Sequence, residues 1–191
     1  MISQYPPIIE VDDYGNIVGP INYEDAHPQD QETGGVRHLT SNVLVFEDES
    51  CKRLLLTQRS KDISRSSTLN ISVGGHGIWL NNEDRAQTPL ETALMEMQEE
   101  LFSGNSLPNG LKIDYVNSFR KDLRMNDLEY VHFYRTFFSG PFNPNAREVS
   151  RAFFEDIDFV LDDLLKNPCK YVKSAPLYLC QFFVSTNRPL F

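Results

Sequence analysis

Thr88-Pro89-Leu90-Glu91-Thr92-Ala93-Leu94-Met95-Glu96-Met97-Gln98-Glu99-Glu100-Leu101-Phe102 is the stretch on which the reading of this chain turns. Leu90, Ala93, Leu94, Met97 and Leu101 recur at three- and four-residue steps and Pro89 suits a first helical turn, so the spacing predicts a helix from Thr88 to Phe102. Glu96, Glu99 and Glu100 then stand one turn apart, with their carboxylates on one face. Like charges that close repel, and each raises its neighbours' affinity for protons unless a cation compensates them. Carboxylate oxygens are the hard ligands that Mg2+, Mn2+ or Ca2+ prefer; without a cation, the same pattern is a solvated acidic face.

Upstream, Ser72-Val73-Gly74-Gly75-His76 reads as a strand that ends in two glycines before a long loop to the helix. Such a pair lets the backbone approach a ligand and lets a carbonyl face a metal. Further out, Ile8 to Val11 and Ile17-Val18 read as strands around the turn Asp12-Asp13-Tyr14-Gly15-Asn16, and Asn22 to Gly35 as a loop or short helix. Asn42 to Phe46 and Arg53 to Thr57 form an expected hairpin, with further strands at Ile113 to Arg120 and Tyr130 to Phe138. Asp158 is placed to cap a helix through Lys166, and a last helix runs from Ala175 to Phe183. Strands around one strong helix, with a helical layer at the end, predict an α+β fold with a mixed β-sheet sandwiched between helices.

At 191 residues and 22.0 kDa, without a repeat or linker, the chain is expected to be one domain. Within it, 1–35 holds N-terminal strands and a loop, 74–103 the central loop and helix, and 150–191 a C-terminal helical part. The Phe/Tyr-rich C-terminus suits core or a homodimer surface. The net charge of −9 argues against binding a nucleic-acid polymer through its phosphates. No apolar run is long enough for a membrane span, and a soluble cytoplasmic protein is expected. Cys51, Cys169 and Cys180 are odd in number and have no metal-knuckle spacing, so they are read as ordinary thiols.

The glycine pair and the helix together resemble the Nudix box, G-x5-E-x7-R-E-U-x-E-E-x-G-U with U aliphatic, in which Met95 to Phe102 overlie R-E-U-x-E-E-x-G. The three metal-side glutamates are present. Met95 stands where the box has Arg, Phe102 where it has Gly, Ser103 where it has an aliphatic residue, and Gln87 at its first glutamate. Glu83, Asp84 and Glu91 are candidates to take over that last role. The interval from Gly75 to Glu96 is about six residues longer than the standard box. Outside it, Ile9 to Gly19, Ala26-His27, Arg37-His38, Leu55 to Ser60 and Glu129 to Phe133 are similar to the Nudix branch that includes the type I isopentenyl-diphosphate isomerases and related hydrolases. That resemblance spans most of residues 8 to 140. The isomerase's Cys before Gly-His is Gly74 here.

The resemblance implies a Nudix fold and hydrolysis of a small-molecule diphosphate, of the nucleoside-diphosphate-X type. It implies a Mg2+ or Mn2+ site on Gly75, Glu96, Glu99 and Glu100, with Glu99 or Glu96 positioning or deprotonating the attacking water. Glu129 is a further ligand or base. Arg59 and Lys61 are the first candidates for phosphate binding, with Arg65, Arg120 and Lys121 after them. The isomerase's second metal site maps onto His27, His38, His76, Asp127 and Glu129, a set that suits a transition metal or zinc. The rival readings are a catalytically weak Nudix module that senses a nucleotide or serves a protein partner, and an isoprenoid-diphosphate isomerase.

Overall fold

A computed structural model describes residues 5–29, 34–61, 67–124 and 126–187. In chain order its elements are β1 (Ile8–Val11), β2 (Ile17–Ile21), α1 (Tyr23–Ala26), β3 (His38–Phe46), β4 (Arg53–Arg59), β5 (Leu69–Asn70), β6 (Val73–His76), β7 (Trp79–Leu80), β8 (Arg85–Ala86), α2 (Pro89–Phe102), β9 (Ile113–Arg124), β10 (Asp127–Phe137), β11 (Val149–Asp156), α3 (Ile157–Lys166) and α4 (Ala175–Ser185). The architecture is α+β, a mixed curled sheet with helices. Its residues group into two compact units: Met1–Asn42, Gly74–Ala93 and Ser118–Phe133 form the first, and Val43–Val73, Leu94–Asn117 and Tyr134–Phe191 the second. No helix among the described residues is long and apolar enough to cross a membrane.

In the first unit, β1 and β2 run antiparallel from Ile8 opposite Ile21 to Val11 opposite Ile17, and Glu10 pairs with His38 of β3. Asp12 makes the turn between β1 and β2, because its Oδ1 accepts hydrogen bonds from the amides of Tyr14 at 2.8 Å and Asn16 at 2.9 Å. Ile9, Val11 and Leu39 form a buried cluster against which Tyr130 and Ala86 pack. The long loop between Gly75 and α2 proves to hold a second hairpin, β7 against β8, with Trp79 opposite Ala86 and Leu80 opposite Arg85. Gln87 closes it: its amide donates to the Ile78 carbonyl at 3.1 Å, and its Oε1 accepts from the Ile78 amide at 3.1 Å.

In the second unit, Phe46 pairs with Leu54, and β4 runs antiparallel to β11 from Arg59 opposite Val149 to Arg53 opposite Asp156. β11 has no counterpart in the expected elements, since its burial pattern lacks the two-residue alternation that marks a strand in sequence. It also moves the next helix start. Asp156, not Asp158, caps α3, its side chain accepting from the amides of Asp158 at 2.9 Å and Phe159 at 3.2 Å. Phe46 and Phe182 of α4 pack against each other in the core at a tilt of 36°, with ring centroids 4.9 Å apart.

Candidate functional site

Helix α2 begins with a reciprocal cap: the Glu91 amide donates to Thr88 Oγ1 at 3.2 Å and the Thr88 amide to Glu91 Oε2 at 2.7 Å. Glu91 also takes both Nη atoms of Arg85, at 2.9 and 3.0 Å, and the guanidinium holds its carboxyl down at about 2. Glu83 is paired to Arg85 Nε at 2.7 Å. Both are therefore committed to the start of the helix. Ala93, Met97 and Leu101 form the buried stripe, whereas Leu90, expected in it, is 43 % exposed. The helix ends at Ser103 and Gly104, both with positive φ, where the Gly104 amide donates to the Gln98 carbonyl at 2.8 Å. The chain thus leaves the helix directly after Phe102, the position at which the box has its glycine.

Along the second unit's part of α2, Glu99 is exposed and Glu96 and Glu100 are partly buried. Loss of solvent, and then the charges of Glu99 and Glu148, push the Glu96 carboxyl up to about 8. Glu99 is raised by the same loss of solvent and by Glu148. Beside them lies a cavity of about 140 Å3 lined by Thr57, Arg59, Asn70, Glu100, Glu148 and Val149. Strand register builds it, since Thr57 pairs with Asn70 and Arg59 with Val149. Glu148 is carried on a loop fastened to the end of α2, where the Asn143 amide donates to the Leu101 carbonyl at 2.9 Å and the Asn145 amide to the Glu100 carbonyl at 3.0 Å. The Ser60 amide holds the Glu148 carbonyl at 2.8 Å from the β4 side. No pattern in the sequence marks Glu148; only this tether brings it to the helix.

Arg59 therefore reaches the acidic cavity, while Lys61 is exposed beyond the end of β4 and is not in its lining. Gly75 lies on β6 in the first unit. Arg65 falls outside the described residues. Arg120 lies 3.8 Å from Asp13 and 3.9 Å from Asp122, and Lys121 is paired with Glu129.

The histidines meet inside the first unit. Ligand atoms of His27, His38 and His76 all lie within 4.8 Å of one another, as do those of His38, Asp127 and Glu129. His38 Nδ1 sits 2.9 Å from the Val36 carbonyl and His27 Nδ1 3.1 Å from the Tyr23 carbonyl. A carbonyl only accepts, so both Nδ1 atoms carry a proton, and neutral His38 presents a lone pair on Nε2. His38 Nε2 is buried and has no hydrogen-bond partner, and His27 Nε2 faces Asp127 Oδ1 at 3.8 Å. Burial lowers the pKa of His38, and burial followed by the charges of His38 and His27 lowers that of His76 well below the usual range. Imidazole nitrogens beside carboxylates, one of them a buried lone pair without a partner, are donors that suit a transition-metal ion. Glu129, expected both as a further ligand or base and in the second metal set, lies in this group, where Thr40 Oγ1 donates to its Oε2 at 2.9 Å and Lys121 Nζ pairs with its Oε1.

Gly74, at the position of the isomerase cysteine, leaves no room for a side chain. A Cβ there would overlap the Ser41 carbonyl oxygen and crowd Asn42 Cα at 2.8 Å. Gly74→Cys is expected to destabilise the protein by about 3 kcal/mol in a thermal melt. A stable Gly74→Cys variant that exchanges deuterium into isopentenyl diphosphate would overturn this.

No family model matches the chain, and no curated protein matches it. Solved structures do. A crystal structure of a Deinococcus radiodurans protein aligns with a TM-score of 0.69 at 18 % identity, covering 92 % of this chain and 99 % of that one. A Nudix hydrolase of Alicyclobacillus acidocaldarius aligns at 0.54 and 12 % identity, covering 75 % and 90 %, and a MutT protein of Methanosarcina mazei at 0.53 and 15 %, covering 80 % and 94 %. The curled sheet and its helices thus place the chain among one class of folds. The protein has the Nudix fold.

Proposed function

We propose that this protein is a metal-dependent hydrolase that splits a phosphoanhydride in a nucleoside-diphosphate-X type substrate, with Glu96, Glu99 and Glu100 holding Mg2+ or Mn2+. The observation that carries this reading is the crowding of carboxylates on α2 against Glu148, with Arg59 in the lining of the adjoining cavity. The donor set fits: these are hard oxygen ligands, and a cation would offset the loss of solvent and the charges of Glu99 and Glu148 that push Glu96 up to about 8. A divalent cation there, when bound, would neutralise phosphate oxygens and acidify a water. Glu99, exposed and with a raised pKa, would orient an attacking water and take its proton. Arg59 binds the terminal phosphate and offsets its charge in an otherwise acidic cavity. Incubation with a panel of nucleoside diphosphates, dinucleotides and sugar nucleotides should release phosphate or a nucleotide with Mg2+ or Mn2+ and none in chelator. Failure with every member would overturn the reading. It would leave the catalytically weak module favoured by Met95 and Phe102.

A second reading concerns the histidines. We infer that His27, His38 and His76, with Asp127 and Glu129, take a transition-metal ion, because the buried Nε2 of His38 has a lone pair and no partner.

A further inference from the structure

Lys121 of β9 is 8 % exposed, yet its ammonium points inward onto Glu129, itself 6 % exposed. Neither oxygen of that carboxylate is idle, since Oε2 accepts from Thr40 Oγ1 at 2.9 Å while Oε1 meets Lys121 Nζ. The same carboxylate lies within ligand distance of His38 and Asp127. Lys121 also stands near enough to His76 to oppose its protonation. A positive charge has thus been built into a cluster in which His38 Nε2 has no partner.

This has a consequence for any ion the cluster holds, and it rests on the second reading above. Among the cluster's own groups, Asp127 and Glu129 supply two negative charges and Lys121 one positive, so a divalent ion would turn a net negative site into a net positive one. In a buried setting such like charges repel strongly, and the ion and the ammonium want the same oxygens. Arg37 does not relieve this. Its guanidinium is engaged by Asp13 at 3.0 Å and Asp122 at 2.5 Å and reaches only the Glu129 carbonyl, at 3.3 Å. We propose that Lys121 is a resident competitor for Glu129, a residue that sets how tightly the histidine cluster holds a transition-metal ion.

Metal-free wild type, Lys121→Met and Lys121→Gln would be titrated with Co2+ in excess Mg2+, following the visible absorption of the bound ion. Both variants should bind at least tenfold more tightly than wild type. Lys121→Gln keeps a neutral donor to Glu129, so it remains informative if the Met variant does not fold. Equal or weaker binding by the folded variants overturns the proposal. His38→Asn separates the two claims. If it abolishes the signal while the Lys121 variants match wild type, the ion is in the cluster and only the competitor falls; if it changes nothing in wild type or Lys121→Gln, both fall.

Discussion

Glu99→Gln is expected to lower the rate of phosphate release about a thousandfold while leaving the melting temperature within a degree or two of wild type. The rate effect follows from the loss of a group that takes a proton during attack on phosphorus, a contribution that commonly lies between about a hundred- and ten-thousandfold. The small stability effect follows from exposure, because Glu99 stands on the open side of α2 and no packing depends on it. Removing its charge also relieves repulsion with Glu96. Steady-state rates with Mg2+, paired with thermal melts of both proteins, test this. Full activity in the variant would move the proton acceptor elsewhere, with Glu148 next in line.

Glu96 gives the second large effect, in stability rather than rate. Its pKa rises from an ordinary 4.5 to about 8 on folding, first by burial and then by the charges of Glu99 and Glu148. Folding therefore favours the protonated form. That contribution is fully present below about pH 4.5, declines as pH rises, and is gone above about pH 8. In chelator, Glu96→Gln should match wild type near pH 4 and be more stable by roughly 3 kcal/mol at pH 8.5, a figure reduced from the full linkage value because Glu96 is partly solvated. Excess Mg2+ should shrink or reverse the gap. Urea melts across that range decide it, and a difference that does not vary with pH would sink the assignment.

The sequence made α2 legible because a helix writes its period into neighbouring residues. Ala93, Met97 and Leu101 could be read as its buried stripe, and Glu96, Glu99 and Glu100 as sharing one face, with no knowledge of the rest of the chain. The histidines became legible only through resemblance, since His27, His38 and His76 are far apart in the chain. Lys121 could be seen as a cation but not as the partner of Glu129, because that pairing depends on how β9 and β10 are aligned. Glu148 and β11 left no trace of their own. Both depend on a loop whose course is set by backbone hydrogen bonds to the end of α2, and such bonds are indifferent to side-chain identity. The misplaced cap at Asp158 has the same origin, for a strand that goes unrecognised cannot show where it hands over to a helix.

The β7–β8 hairpin bears on how relatives of this chain could be found. Because Gln87 and Ile78 bond to each other across its base, the excursion begins and ends at nearly the same point in space, whatever its length. A search template that insists on a set number of letters between glycine and glutamate will pass over such a chain. One that scores the paired backbone bonds at the hairpin's neck would recover it and any cousins whose tips have grown or shrunk.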